Sequence, residues 1–331
     1  MINEWLALLT NVAAPTGDER KRAKVIEDQV KQFVDEVHYD ALGNLYAVKH
    51  AKNKNSDHET IVLSAHLDEP ACTIVDIDEA GFLRVEGIGQ QDPVAWVGRR
   101  VRISKTGQIG IIDVEEQVDW QDITFGKLYI DLAARDQEHA KSLASIGDFV
   151  SLVGEFDEEH DDVYLGTHLD SVLPCALLLE VLKTPVSDKE IIAVFTVQHR
   201  VRSRGAKVAG YQVDADLVLT LGLTPTGDTP GAKRSAIKLG AGPAIKALDG
   251  SMVVSNRVRD RLMEAFSRAG VMSQVEVAPK VMSDTGAFFL TKAGTPAGGL
   301  SVPVRHAKQQ MQIAAKADVE ALRNVLIALI K

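Results

Sequence analysis

Apolar residues recur along this chain with two different periods, and the change from one to the other divides it. After Thr16-Gly17-Asp18-Glu19, which reads as a helix-capping box with Thr16 as N-cap and Glu19 three residues on, Ile26, Val30, Phe33 and Val34 fall at helical spacing. Short apolar runs at Leu45–Val48, Ile61–Ala65, Ile191–Val197 and Leu217–Leu221 predict buried strands. The polar segment from Lys49 to Glu59 reads as an exposed loop. Helical patterns cover Leu173–Leu182, the stretch carrying Val258, Leu262 and Phe266, and a final one carrying Val319, Leu322, Leu326 and Ile330. Strands alternating with helices predict an α/β fold with a largely parallel sheet flanked by helices.

Between about Glu69 and Asp161 the rhythm changes. Cys72–Val75, Phe82–Val85, Val101–Ile103, Gly110–Val114, Lys127–Ile130 and Gly147–Val153 are short strand-like runs separated by Gly and Asp turns. That spacing predicts a small β-rich, barrel-like unit. The acidic stretch from Asp157 to Asp162 reads as a solvated junction. The expected organisation is one α/β domain in two chain segments, 1–68 and 162–331, with an inserted β-rich domain over 69–161.

Composition narrows the classes. With 331 residues, 45% hydrophobic and 25% charged, the chain can bury a large core. A formal charge of −9 argues against nucleic acid as partner, which calls for clustered Lys and Arg. No run approaches the roughly 18 apolar residues that span a bilayer, and Met1-Ile2-Asn3-Glu4 lacks a basic leader, so a cytoplasmic protein without a membrane partner is expected. Cys72 and Cys175 sit in apolar surroundings and read as buried free thiols.

The chemistry gathers at strand ends. Ile61–Ala65 runs into His66-Leu67-Asp68-Glu69, and Ile191–Thr196 into Val197-Gln198-His199-Arg200. Further landmarks are Ala14–Glu19, Asp40–Leu45, Leu169-Asp170-Ser171, Gln198–Ala206, Gly227–Gly231, Ser283–Ala287 and Gly299–Arg305. Their order and spacing across nearly the whole chain resemble the glutamyl (deblocking, tetrahedral) aminopeptidase family, some of whose members carry cellulase or endoglucanase names. The resemblance implies a zinc-exopeptidase-like α/β core with an inserted β domain used in assembly. It also implies homo-oligomers from dimer up to dodecamer, and removal of N-terminal residues from peptides with two zinc or cobalt ions. Two such metals polarise the scissile carbonyl and turn a bridging water into hydroxide.

Carried over position by position, the resemblance makes His66 the first metal histidine, Asp170 the bridging carboxylate and Asp68 a carboxylate that orients its neighbours. The chain then departs from the pattern. Ser171-Val172 follows Asp170 where the family has Asn or Asp and then Arg. His199 and Arg200 stand where it has a general-base glutamate and a ligand glutamate. Gly222 stands at a metal aspartate, and Lys308 at the last metal histidine, with His306 two residues away as a substitute if the register slips. An imidazole at 199 can act as a base near neutral pH. A guanidinium at 200 has five donors and no lone pair to give a metal. Arg200 and Lys308 could instead pair with Asp170, Asp68 or Asp284, as mutually compensating substitutions.

Two further readings stay open. If His168 and Asp170 share a strand face, His66, His168, Asp170 and His199 could form a single-metal site; otherwise His168 packs or caps locally. Arg200, Arg202 and Arg204 either bind an anion or are simply solvated. The expectations for function are therefore a silent family member with no metal or partial metal and a possible peptide ligand, an active aminopeptidase with a rearranged site using Asp68 and His199, or an assembly partner of an active relative.

Overall fold

The computed structural model describes residues 2–53, 57–185, 187–232 and 236–331. The polar segment Lys49 to Glu59 lies partly outside them.

Four parallel strands form the centre of an 11-stranded sheet, in the order Glu190–Thr196, Thr60–His66, Leu217–Pro225, Ala297–Arg305. Nearly every residue of Thr60–His66 and Ala297–Arg305 is buried, as expected for strands covered on both faces. Outside this centre, only Ala244–Asp249 and Gln274–Ala278 pair in parallel among the described residues. Antiparallel strands extend it on both sides, beginning with Leu45–Lys49 beyond Glu190–Thr196 and Met311–Ala315 beyond Ala297–Arg305. The sheet as a whole is thus more mixed than the strand–helix alternation predicts, because hairpin-type returns add strands at its edges.

Alternation along each central strand sends side chains to two cores. Ile61, Leu63, Ala65, Ala193, Phe195, Leu217 and Leu219 pack on the helices Ile2–Thr10, Leu169–Leu182, Asn256–Ala269 and Lys316–Ile330. Val62, Val194 and Val218 pack against Ala206, Ala209 and Phe288 on the opposite face. The helix Leu169–Leu182 is buried almost all round, which explains why its apolar residues carry little directional pattern. It begins four residues before the predicted start at Leu173.

The predicted β-rich insertion is a closed six-stranded barrel built from strands between Ala71 and Leu152. It holds a separate core that includes Cys72, Ile74, Val101, Ile112, Ile130 and Trp96.

The capping box does not form. The helix runs from Arg20 to Val30, and Glu19 gives it no side-chain cap. Thr16 instead turns inward, with Oγ1 2.9 Å from Asp68 Oδ2 and 3.2 Å from the Glu69 carbonyl. Glu19 Oε1 accepts the Gly17 and Gln198 amides at 2.8 and 3.0 Å. These inward-facing groups hold the turn that follows Glu190–Thr196. Val197 N–H donates to Asn44 Oδ1, Gln198 N–H to Glu19, and the His199 and Arg200 amides to Asp68 Oδ1 and Oδ2 at 2.9 and 3.0 Å. Asn44 also donates to the Gly205 carbonyl, and a Cβ at Gly205 would collide with Val197 O and Asn44 Oδ1. Held this way, Gln198, Arg202 and Ser203 adopt left-handed backbone conformations at φ 52°, 71° and 53°, unfavourable for residues other than Gly.

Arg22 and Glu69 form a fully buried ion pair beneath the turn. Arg22 also donates to the Val12 and Leu67 carbonyls and to Ser171 Oγ, joining three segments.

Two stability predictions follow from this arrangement. Arg22→Ala leaves Glu69 buried and unpaired and is expected to cost about 3–5 kcal/mol in urea unfolding; a loss below about 1 kcal/mol would mean that solvent reaches the pair. Burial pushes the Glu19 carboxyl up to about 7, with the Gly17 and Gln198 amides opposing and the Asp68 charge assisting. Because the folded value lies above the unfolded one of about 4.3, Glu19 stabilises the fold most below that pH, and this contribution is lost as pH rises through about 7. Glu19→Gln keeps the Oε1 acceptor and is expected to gain roughly 1–3 kcal/mol relative to the parent between about pH 5 and pH 8. A pH-independent difference between the two urea midpoints would refute it.

Candidate functional site

The candidate site lies at the carboxyl ends of the parallel strands, where open α/β sheets place their ligand crevices. Thr196 and His66 end adjacent strands as direct register partners, and Gly222, on the strand at the other side of His66's, pairs with Ser301 on the next. Asp170 enters from the first turn of Leu169–Leu182, and Asp284 from the residue preceding the short helix Thr285–Phe289. His66, Asp170, His199, Gly222, Asp284 and Lys308 line one cavity of about 260 Å³.

Within it the acids are matched to bases of the same chain. The Arg200 guanidinium donates through Nη2 to Asp170 Oδ2. His199 Nδ1 lies 2.6 Å from Asp284 Oδ1, whose other oxygen accepts the Thr196 hydroxyl at 2.7 Å. The His66 and His199 rings stack with centroids 4.2 Å apart, and His66 Nδ1 faces the Asp68 carbonyl at 3.1 Å. Among the described residues, neither ring's Nε2 has a hydrogen-bond partner.

Electrostatics follow the pairing. Burial works to raise the Asp170 and Asp284 carboxyls, but the charges of Arg200 and His199 respectively outweigh it and hold both below their ordinary range. Burial opposes the charged form of His199, yet Asp284 and Asp68 prevail and raise it. Asp68 is fully buried; burial would raise it, but the His66 hydrogen bond and the His66, His199 and Arg200 charges carry it well below the usual carboxylate range. With two backbone amides and Thr16 on its oxygens, Asp68 holds the turn.

Other expectations are corrected. His168 and Asp170 do not share a strand face. The strand ends at Thr167, His168 takes a left-handed conformation at φ 55°, and Asp170 lies within the following helix. His168 is buried outside the cavity lining, its Nε2 has no partner, and burial lowers its basicity despite nearby Glu69 and Asp170. His306 is exposed and does not line the cavity. Lys308 lines it but is exposed and has no carboxylate at ion-pair distance among the described residues, so of the two substituted cations only Arg200 pairs with an acid.

Sequence reasoning missed Lys246, buried in the strand Ala244–Asp249. Its Nζ donates to buried Glu276 at 2.6 Å, and Glu276 also accepts from Ser301 Oγ at 2.8 Å. A charged residue inside each of two apolar strands was the available signal. Gln312 was missed as well; its Oε1 accepts the Asp170 amide at 3.2 Å.

As a donor set for two divalent ions the arrangement fits badly. The pair would bring about four positive charges and require unshared lone pairs. Here Asp170 already accepts from a guanidinium, Asp284 from an imidazole and a hydroxyl, and Gly222 offers no side chain.

Comparison with known proteins supplies the lineage. Residues 43–325 match the family described as M42 glutamyl aminopeptidase. An Acetivibrio thermocellus protein provisionally named an aminopeptidase is 35% identical over 326 residues, covering 98% of this chain and 97% of its own. The aminopeptidase APDkam598 from the archaeon Desulfurococcus kamchatkensis superposes with a TM-score of 0.93 at 26% identity, covering 99% of this chain and 94% of that one. The Pyrococcus horikoshii TET1 peptidase, described as assembling into a tetrahedron or a large octahedral shell, superposes with a TM-score of 0.88 at 26% identity, over 99% of each chain. The chain therefore belongs to the M42 glutamyl aminopeptidase family.

Proposed function

We propose that this chain is a member of its family in which the two-metal centre has been exchanged for internal ion pairs, so that it binds peptides without hydrolysing them by the metal route. The observation that carries this reading is the Arg200 guanidinium seated on Asp170. Asp170 is the acid that would bridge two metals by the resemblance, and its partner is a group that cannot ligate. The backbone amide of Arg200 is held by Asp68, so the guanidinium projects from a built turn. The cavity that remains, with apolar walls at Leu223, Val281, Leu300 and Val304, has room for one peptide side chain.

Assembly is part of the same proposal. The TET1 peptidase of P. horikoshii is described as a shell-forming oligomer, and the inserted barrel, with its own core, is the unit that would carry contacts between copies. A second reading has one observation in its favour. The stacked His66 and His199 rings leave both Nε2 atoms uncommitted among the described residues, so a single metal would find two imidazole donors there.

Metal analysis tests both. Protein purified without chelator is expected to carry far less than one zinc or cobalt ion per chain, and to release no amino-acid anilide when either ion is added. A Cβ at Gly222 meets nothing within 4 Å, so a carboxylate fits there without collision. Arg200→Glu combined with Gly222→Asp is accordingly expected to gain zinc binding, seen as a zinc-dependent rise in melting temperature that the parent lacks. One stoichiometric ion in the parent, lost in His66→Ala, would favour the single-metal reading. Anilide release by the parent would overturn the silent one.

A further inference from the structure

Beside the small cavity runs a wider groove of about 1670 Å³, and the two share His199, Met282 and Ser283 on their walls. Arg200, Arg202, Arg204 and Lys207 line it from the strained turn and the helix Arg204–Gln212, and Lys280 faces them from the segment before Asp284. No Asp or Glu lines it among the described residues. Arg202, Lys207 and Lys280 are exposed, and none has a carboxylate at ion-pair distance among those residues. Between the cations stand exposed apolar groups, with Tyr211, Met282 and Leu290 at 70%, 61% and 75% exposure.

This concentration of positive charge belongs to a chain whose formal charge is −9. Its attraction for an anion falls off within about 8–10 Å at physiological salt. A long polyanion would run beyond the groove along a chain of net negative charge, which opposes its binding. A short segment carrying a few carboxylates and apolar side chains meets only the groove. Its carboxylates match the guanidinium and ammonium groups, its apolar side chains match Tyr211, Met282 and Leu290, and one end can enter the small cavity past His199.

We propose that this groove binds acidic peptide segments in which carboxylates alternate with apolar residues, and that Lys207 and Lys280 on its facing walls set the charge preference. The inference rests on the reading of the chain as a peptide binder and names the peptide's chemistry.

The test is fluorescence anisotropy on the full chain, with a fluorescein-labelled peptide alternating Glu and Leu, its Lys–Leu counterpart, and labelled oligothymidylate. Saturable binding of the Glu–Leu peptide is expected, weakening as salt rises, with the Lys–Leu peptide bound at least about tenfold more weakly. Lys207→Glu with Lys280→Glu is expected to weaken the Glu–Leu complex at least about tenfold. If that variant does not fold, Lys207→Gln with Lys280→Gln carries the test, with a smaller loss in the same direction. Absence of saturable binding overturns the proposal. Equal binding of the two peptides, or unchanged affinity in a folded variant, overturns it as well. Tighter binding of oligothymidylate would assign the groove to polyanions instead and overturn the peptide assignment. Mass spectrometry of the titrated peptide keeps the two readings apart: cleavage of a bound peptide overturns catalytic silence alone, and an intact but unbound peptide overturns the groove alone.

Discussion

A carboxylate taken out of water must find donors or cations, because burying it unpaired costs several kcal/mol. The carboxyl edge of the central sheet gathers Glu19, Asp68, Glu69 and Asp284 in buried positions, with Asp170 partly exposed beside them. Within the chain that demand is met by Arg22 for Glu69, Arg200 for Asp170, His199 for Asp284, and backbone amides for Asp68 and Glu19. The strained turn at 198–203 is the structural result. Its amides must point at Asp68 and Glu19, and that requirement forces three residues other than Gly into left-handed conformations.

The inserted barrel shares in this constraint. Asp68 and Glu69 lie at its root, and its first strand begins at Ala71. Ser104 of the barrel donates its hydroxyl to Asp18 at 2.8 Å, and its carbonyl accepts Lys21 at 2.6 Å, so the barrel is anchored to the segment that carries Glu19 and Arg22. Gly89, at φ 79°, lies against the Arg200 carbonyl so closely that a Cβ there would collide with it. A unit with its own core thus touches the turn that positions Arg200. Any force applied to the barrel in an assembly would reach the site through a short chain of contacts.

How much of this was legible depended on sequence separation. Three of the four central strands and the six barrel strands could be read because each is a local run whose pattern reports its own burial, whereas Ala297–Arg305 was read only as a motif. That Arg200 could pair with Asp170 was legible because the resemblance gave both positions an expected chemistry, and the structure forms that pair. Glu19 was not. A Thr three residues before a Glu is a local capping signal, and only the arrival of Gln198 from a distant strand end turns the carboxylate inward. His168 failed for a related reason. Alternation with Asp170 presumes that the strand continues, but it stops at Thr167, and the left-handed residue that follows rotates the side chain out of the site. The cationic groove was half legible. Its three arginines are close in sequence, but Lys280 joins them only through the fold.

The pairings are also consistent as electrostatics. Arg200 on Asp170 and His199 on Asp284 give two buried or half-buried acids a counter-charge from the chain itself, and Gly222 adds no further acid that would need one. Either cation without its acid would be stranded, and either acid without its cation would destabilise the edge. The pairing is also spatially asymmetric. Arg200 directs its guanidinium inward to Asp170, whereas Arg202, Lys207 and Lys280 have no acid at ion-pair distance among the described residues and face solvent along the groove. The positive charge around the site therefore ends in two places, one part neutralised inside and one part exposed beside it. The exposed part is available to a ligand and the neutralised part is not.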